Sequence, residues 1–244
     1  MARPFLADPD FVAKAAAGKA DTINTCIGCN QACLDHTFGG KITSCLVNPR
    51  ACHETLMVAT PAPSKERIAV VGAGPAGLAF STEAAKRGYD VTLFDAASEI
   101  GGQFNVAKQV PGKEEFYETL RYFGTQIAAT GVKLQLGKKV SAQDLVAASF
   151  KQVVLATGVS PRTPDIEGIK HPKVLGYLDV LRDKKPVGQT VALIGAGGIG
   201  FDTAEFLLHE GTSPSLDPTK FFAEWGVDTG YAHAGGLKLS LIHI

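Results

Sequence analysis

Arg67-Ile-Ala-Val-Val-Gly-Ala-Gly-Pro-Ala-Gly77 reads as an apolar strand running directly into a glycine turn. The glycines stand at the spacing G-x-G-x-x-G, and each has a physical task. Gly72 permits the tight turn, Gly74 lets the backbone approach a pyrophosphate, and Gly77 lets the following helix pack closely on the strand. Ala76 to Arg87 reads as that helix, closed by Gly88, with Pro75 at its start where a missing donor costs little. The amide of Ala76 then lies at a helix N-terminus, where phosphate oxygens are favoured. Val91 to Asp95 is a second buried strand whose terminal acid is placed to accept from adenosine ribose hydroxyls. The order gives a parallel β-α-β unit with a right-handed crossover. A glycine turn serving only packing is the alternative, and the strand, helix and acid around it weigh against that.

Downstream, Lys113 to Ala129 sets Phe116, Leu120, Phe123 and Ile127 on one helix face, and Val132 to Leu136 and Val153 to Ala156 are expected strands. After a loop from Gly158 to Pro172, a second strand-turn-helix is expected from Thr190, with Val191-Ala-Leu-Ile194 entering Gly195-Ala-Gly-Gly-Ile-Gly200. Gly195, Gly197 and Gly200 repeat the first spacing, so two nucleotide sites are expected. The residue that separates NAD from NADP should end the next strand, about twenty residues on. His209 to Asp217 is instead a polar loop, which leaves the second site present only in part.

Upstream, Thr60-Pro-Ala-Pro-Ser-Lys-Glu66 is a polar linker that marks a domain boundary. Met1 to about Thr60 has no sustained periodicity beyond a short stretch at Phe11 to Ala17, and it carries all five cysteines. Something other than a hydrophobic core must order it. Cys26, Cys29, Cys33 and Cys45 follow C-x2-C-x3-C-x11-C: three thiolates on one tight loop for three irons of a cubane, and a fourth to close it. Gly28, Gly39 and Gly40 let the backbone wrap closely. Structural zinc is the alternative, although zinc ribbons usually bring two separated CxxC pairs. Cys52, beside His53, falls outside the pattern. Disulfides are the weaker reading of an odd, crowded set. A cluster beside a dinucleotide turn points to electrons arriving as hydride and leaving singly, with a flavin as the natural converter.

The 244 residues are 45% hydrophobic, which supports a buried core and excludes a disordered tail. Lys plus Arg and Asp plus Glu each count 24, so no net charge gathers nucleic acid or membrane phosphate. Neither is expected as a partner. The first twenty residues interrupt any signal-like stretch with Asp8, Asp10 and prolines, and a soluble, cytoplasmic protein is expected.

Four longer runs are more particular: CIGCNQACLDHTFGGKITSCLVNPRACHE at Cys26 to Glu54, VVGAGPAGLAF at Val70 to Phe80, EIGGQFNVAKQVPGKEEFYETLRY at Glu99 to Tyr122, and LIGAGGIGFDTAEF at Leu193 to Phe206. Together they resemble the NADPH-dependent 2,4-dienoyl-CoA reductases of bacteria, within the flavin oxidoreductases that include trimethylamine dehydrogenase. The resemblance covers nearly the whole chain. It implies a (β/α)8 barrel holding FMN and substrate, a [4Fe–4S] cluster at the barrel exit, and FAD- and NADPH-binding domains after it. Cys26, Cys29, Cys33 and Cys45 are implied cluster ligands. Ala76, Asp95, Gln103, Lys113 and Val140 are implied around FAD, Val140 through its backbone to adenine. The implied relay runs from NADPH through FAD and the cluster to FMN, for reduction of 2,4-dienoyl-CoA in the β-oxidation of unsaturated fatty acids. The small-molecule substrate would be an acyl-CoA thioester.

A barrel needs roughly 250 residues, and only Ala2 to Pro9 look like its closing edge, while Leu237 to Ile244 do not fit the resemblance. The expectation is an internal fragment with an atypical tail, without catalytic residues of its own, inactive alone, with FMN held only in the full-length parent. The expected fold is α/β. Incomplete Rossmann-like domains for FAD (65–165) and NAD(P) (166–244) follow an irregular iron–sulfur segment (1–64). Competing readings are a glutamate-synthase-type electron-transfer flavoprotein subunit, another enoate or amine oxidoreductase of the same family, and a zinc-ordered nucleotide-sensing module.

Overall fold

The computed structural model describes residues 2–238 and divides into two compact units. One comprises the chain through Ala107 together with Glu115–Ile169; the other comprises Lys108–Glu114 and the chain from Lys170 onward.

The first unit is built on a parallel four-stranded sheet of order β3-β2-β1-β4, with β1 at Arg67–Val71, β2 at Asp90–Phe94, β3 at Lys133–Gln135 and β4 at Gln152–Leu155. Registers pair Ile68 with Val91 on one side of β1 and with Gln152 on the other. This is the α/β, Rossmann-like order expected when each crossover is right-handed. The Pro75–Lys86 helix returns the chain from β1 to β2, and Gly88, at φ +104°, ends it in a conformation that costs a Cβ-free residue little. The core forms where sheet and helices meet: Ile68, Val70, Leu78, Val91 and Leu93 are buried, with Ile127 of the Glu115–Thr130 helix and Val132 joining them. Phe123 packs against the same core, and Phe116 stacks on Phe104 at 4.7 Å, so the apolar face read from the sequence is the buried one. A short helix at Ala142–Ala147 had no apolar period to announce it. Its signal was the capping box, in which Ser141 Oγ accepts from Asp144 N–H and the Asp144 carboxylate accepts from Ser141 N–H.

The cysteine segment is ordered by polar contacts, as its lack of periodicity required. Beyond short helices at Arg3–Ala7, Phe11–Ala16 and His36–Phe38, a 3-10 turn at Ala20–Thr22 and one wide turn at Gln31–Asp35 it is irregular. Asp8, 3% exposed, accepts from the Asn24 N–H at 2.8 Å and from Lys14 Nζ at 2.6 Å. The Asn24 amide donates to the Val47 carbonyl at 2.7 Å, and the Asn48 amide donates to the Leu6 carbonyl at 2.8 Å. Buried polar groups with their partners in place can define an irregular fold as tightly as apolar packing does. The linker is pinned too, with Ala62 N–H donating to the Arg87 carbonyl and Arg87 Nε to the Thr60 carbonyl.

The second unit carries helices at Tyr177–Leu181, Gly198–Leu208 and Pro218–Glu224. The last begins at a cap missed in sequence, Asp217, whose side chain accepts from the Thr219 and Lys220 amides. The strand expected at Val191–Ile194 is not formed. That stretch has no assigned element and no strand neighbour among the described residues, and Ile194 is 83% exposed. Apolar content makes a strand only where another strand offers it backbone partners. Leu237 forms an isolated antiparallel bridge with Val227; the rest of the atypical tail, from residue 239, lies outside the described residues. No helix among the described residues is long and apolar enough to cross a membrane.

Candidate functional site

The first glycine turn has the geometry its spacing demands. Gly72 sits at φ +109°, and a Cβ there would lie 2.2 Å from the Ala156 carbonyl oxygen. A Cβ at Gly77 would lie 1.8 Å from the Gly72 carbonyl oxygen, which is why the helix can turn so closely over the strand end. Gly74 is the N-cap of the Pro75–Lys86 helix, and Ala76 and Gly77 fall in its first turn, whose N–H groups have no acceptor within the helix. They form a donor set suited to an anion.

Asp95 follows β2 and reaches the turn. Its Oδ2 accepts from the Ala73 N–H at 2.6 Å, and its Oδ1 accepts from the Ala97 N–H at 2.7 Å. The carboxylate therefore braces the turn, and each oxygen retains acceptor capacity for a ribose hydroxyl. Gly101 and Gly102, both at positive φ, were not singled out from the sequence. The Gly101 N–H donates to the Ala73 carbonyl, and a Cβ on Gly102 would lie 3.0 Å from Gly74 Cα. The Gly-Gly dipeptide before Gln103 was the available signal. Gln103 itself is exposed beside that approach, and Val140 is half-buried in the loop after β3. Lys113 belongs to the second unit, where its ammonium pairs with Asp202 at 2.6 Å.

In the second unit, Gly195 sits at φ +120°, Gly197 is the N-cap of the Gly198–Leu208 helix, and a Cβ on Gly200 would lie 2.3 Å from the Gly195 carbonyl oxygen. The local geometry of the first turn is thus repeated. No strand delivers an acid to it among the described residues, because the chain after Leu208 enters the 209–217 loop.

Cys26, Cys29, Cys33 and Cys45 line one pocket in the first unit, with Leu6 and Leu46 among its apolar walls. None is in a disulfide, and all four are half-buried, whereas Cys52 is exposed. Gly28 at φ +65° and Asn30 at φ +60° bend the loop that carries Cys26, Cys29 and Cys33. Burial pushes the Cys45 thiol up, against hydrogen bonds from the Val47 and Asn48 backbone, and the nearby Cys26 and Cys29 add to the rise. Among the described residues, no three His, Cys, Asp or Glu side chains stand close enough to share a single metal ion. The four thiols border a common space and do not converge on one point.

A profile of the pyridine nucleotide-disulphide oxidoreductase family matches residues 66–216, more than half the chain. Among curated relatives, the chain is 39% identical to a metal reductase of Desulforamulus reducens, over 87% of its own length and 32% of the relative's, and 34% identical to a bilirubin reductase of Mediterraneibacter gnavus, over 88% and 34%. It spans about a third of the length of the curated relatives it matches. A 2-naphthoyl-CoA reductase in complex with 2-naphthoyl-CoA superposes with a TM-score of 0.81 at 37% identity, covering 84% of this chain and 31% of that one. A histamine dehydrogenase from Rhizobium sp. 4-9 superposes with a TM-score of 0.62 at 32% identity, covering 68% and 25%.

Proposed function

The chain belongs to the pyridine nucleotide-disulphide oxidoreductase family, and from that premise we propose that it is the redox module of an iron–sulfur flavoenzyme that reduces an unsaturated CoA thioester, with NADPH as hydride donor. One observation carries the reading: a complete nucleotide-binding turn and a pocket lined by four free cysteines occur in the same compact unit. Bound there, FAD would accept electrons in pairs and a [4Fe–4S] cluster would pass them singly.

The residues fit both groups. For FAD, Gly72, Gly74 and Gly77 keep the turn free of side chains, the Ala76 amide would donate to the pyrophosphate, and Asp95 would accept from ribose while holding the turn through Ala73. Gln103 and Val140 would complete the proposed flavin set within this unit. For the cluster, Cys26, Cys29, Cys33 and Cys45 are the ligands. A cubane carries each thiolate on a different iron, and the four free cysteines lining one pocket supply the number of ligands it needs. Gly195, Gly197 and Gly200 would receive the nicotinamide nucleotide. FMN and the reducing site belong to the longer parent protein.

A CoA thioester as substrate draws support from the naphthoyl-CoA reductase, and 2,4-dienoyl-CoA is the substrate proposed here. A second reading, another enoate or an amine, is favoured by a cinnamate reductase and by the histamine dehydrogenase among the relatives. Anaerobic reconstitution with iron, sulfide and FAD tests the proposal. A flavin band plus a broad absorption that dithionite bleaches is expected. Each serine variant of Cys26, Cys29, Cys33 and Cys45 should lose the iron absorption and keep FAD, and Cys52→Ser should keep both. A colourless, zinc-holding protein would overturn the cluster. Dienoyl-CoA reduction by this chain alone would overturn its role as a module.

A further inference from the structure

Arg121 projects from the Glu115–Thr130 helix onto the chain just before Cys26. Its Nη2 donates to the Ile23 carbonyl at 2.9 Å and to Thr25 Oγ1 at 3.2 Å, and its Nη1 donates to the Asp21 carbonyl and, at 3.4 Å, to the Ala20 carbonyl. Its Nε donates to Glu118 on the same helix at 2.7 Å. A guanidinium has five N–H donors, and here each has an acceptor. Four of those acceptors lie within Ala20–Thr25, a stretch with no sheet pairing and only a single 3-10 turn. Lysine could not reproduce this, because three donors on one point cannot span a fork of carbonyls.

On the other side of the same stretch, Asp8 holds the Asn24 N–H, and Asn24 in turn holds Val47 near Cys45. The two clamps differ in what they join. Asp8 joins parts of the cysteine segment to one another. Arg121 joins that segment to a helix whose Phe123 and Ile127 pack on the sheet core of the nucleotide turn.

We propose that Arg121 is a positioning residue: it fixes the Cys26 end of the cysteine loop to the nucleotide-binding domain, so that whatever the four cysteines hold keeps one position relative to that domain. The cluster arm of the test rests on the function proposed above; the clamp itself does not. The first measurement is amide hydrogen exchange on the full chain, for wild type, Arg121→Ala, Arg121→Lys and Thr25→Val. In Arg121→Ala, exchange over residues 20–27 should rise at least tenfold while β1 and β2 keep wild-type protection, which separates release of the loop from unfolding. Thr25→Val, which removes one acceptor, should give a smaller rise, and Arg121→Lys should recover only part of the protection. Wild-type exchange over 20–27 in Arg121→Ala overturns the proposal. The second measurement is dipolar EPR on the reduced, iron-loaded chain. With a nitroxide at Glu83→Cys of the Pro75–Lys86 helix in a Cys52→Ser background, Arg121→Ala should take up iron as wild type does but give a broader distribution of nitroxide-to-cluster dipolar distances. A distribution as narrow as wild type, with exchange raised, would overturn the positioning role. If wild type itself takes up no iron, the cluster reading fails, and the exchange result still decides the clamp.

Discussion

The two glycine turns have the same backbone and different surroundings. Gly72 and Gly195 both take positive φ, at +109° and +120°, Gly74 and Gly197 both cap helices in extended conformations, and Gly77 and Gly200 both pass close over the carbonyl of the first glycine. Yet the first turn follows a strand with a parallel neighbour on either side, while the second follows an exposed, unpaired stretch. The turn is therefore a local property of glycine spacing, and the strand before it is a property of its neighbours. The same difference explains the acid. β2 returns beside β1 and brings Asp95 onto Ala73, whereas among the described residues no strand follows the Gly198–Leu208 helix to do this for the second turn.

The contrast is broken most sharply by alanine at the first glycine of each turn. Gly72→Ala combines positive φ with a Cβ 2.2 Å from backbone, and should destabilise the first unit by roughly 3 kcal/mol or more. Gly195→Ala has nothing within 4 Å and carries only the backbone strain, about 1–2 kcal/mol. Urea unfolding of both variants measures the gap, and equal losses would show that the surroundings do not matter. Next in size is Asp95→Ala, which strands the Ala73 N–H and should cost about 1–3 kcal/mol. A drop in melting temperature with faster exchange at Ala73 checks it; an unchanged amide would mean that the brace does no holding.

The smallest effect lies in the second unit. Asp228, whose carboxylate accepts from the His233 ring and backbone and from the Gly230 amide, is held down to about 2, the His233 side chain being the main cause. A depressed carboxylate contributes stability that is present above its usual pKa of 3.8 and lost as pH falls through about 2. The Gly230 amide shift, followed by NMR from pH 5 to 1.5, should titrate with a midpoint near 2. A midpoint near 3.8 would show these bonds unformed in solution.

The first unit was legible because its signals are redundant: an apolar strand, three glycines, a proline at the helix start and an acid at the end of β2 all require the same β-α-β. Val191-Ala-Leu-Ile194 misled because composition reports the wish to be buried and says nothing of a partner. The four cysteines were legible by spacing. Asp8, Asn24, Asn48 and Arg121, which shape the segment around them, were not, since single polar residues acting over separations as long as Arg121 to Asp21 leave no period to read. Asp217 and Ser141 were missed for a simpler reason, being caps on helices too short to show an apolar face.

The central claim is that the turn at Gly72–Gly77 is the flavin site and the turn at Gly195–Gly200 is not. Valine at the middle glycine of each tests it directly. A Cβ at Gly74 meets only Gly102 Cα at 4.0 Å, and one at Gly197 meets nothing within 4 Å, so the turns can tolerate the change while a bound pyrophosphate cannot. Titrating FAD by quenching of its fluorescence should show Gly74→Val weakening binding at least tenfold and Gly197→Val leaving it as in wild type. Wild-type FAD affinity in Gly74→Val would contradict the account.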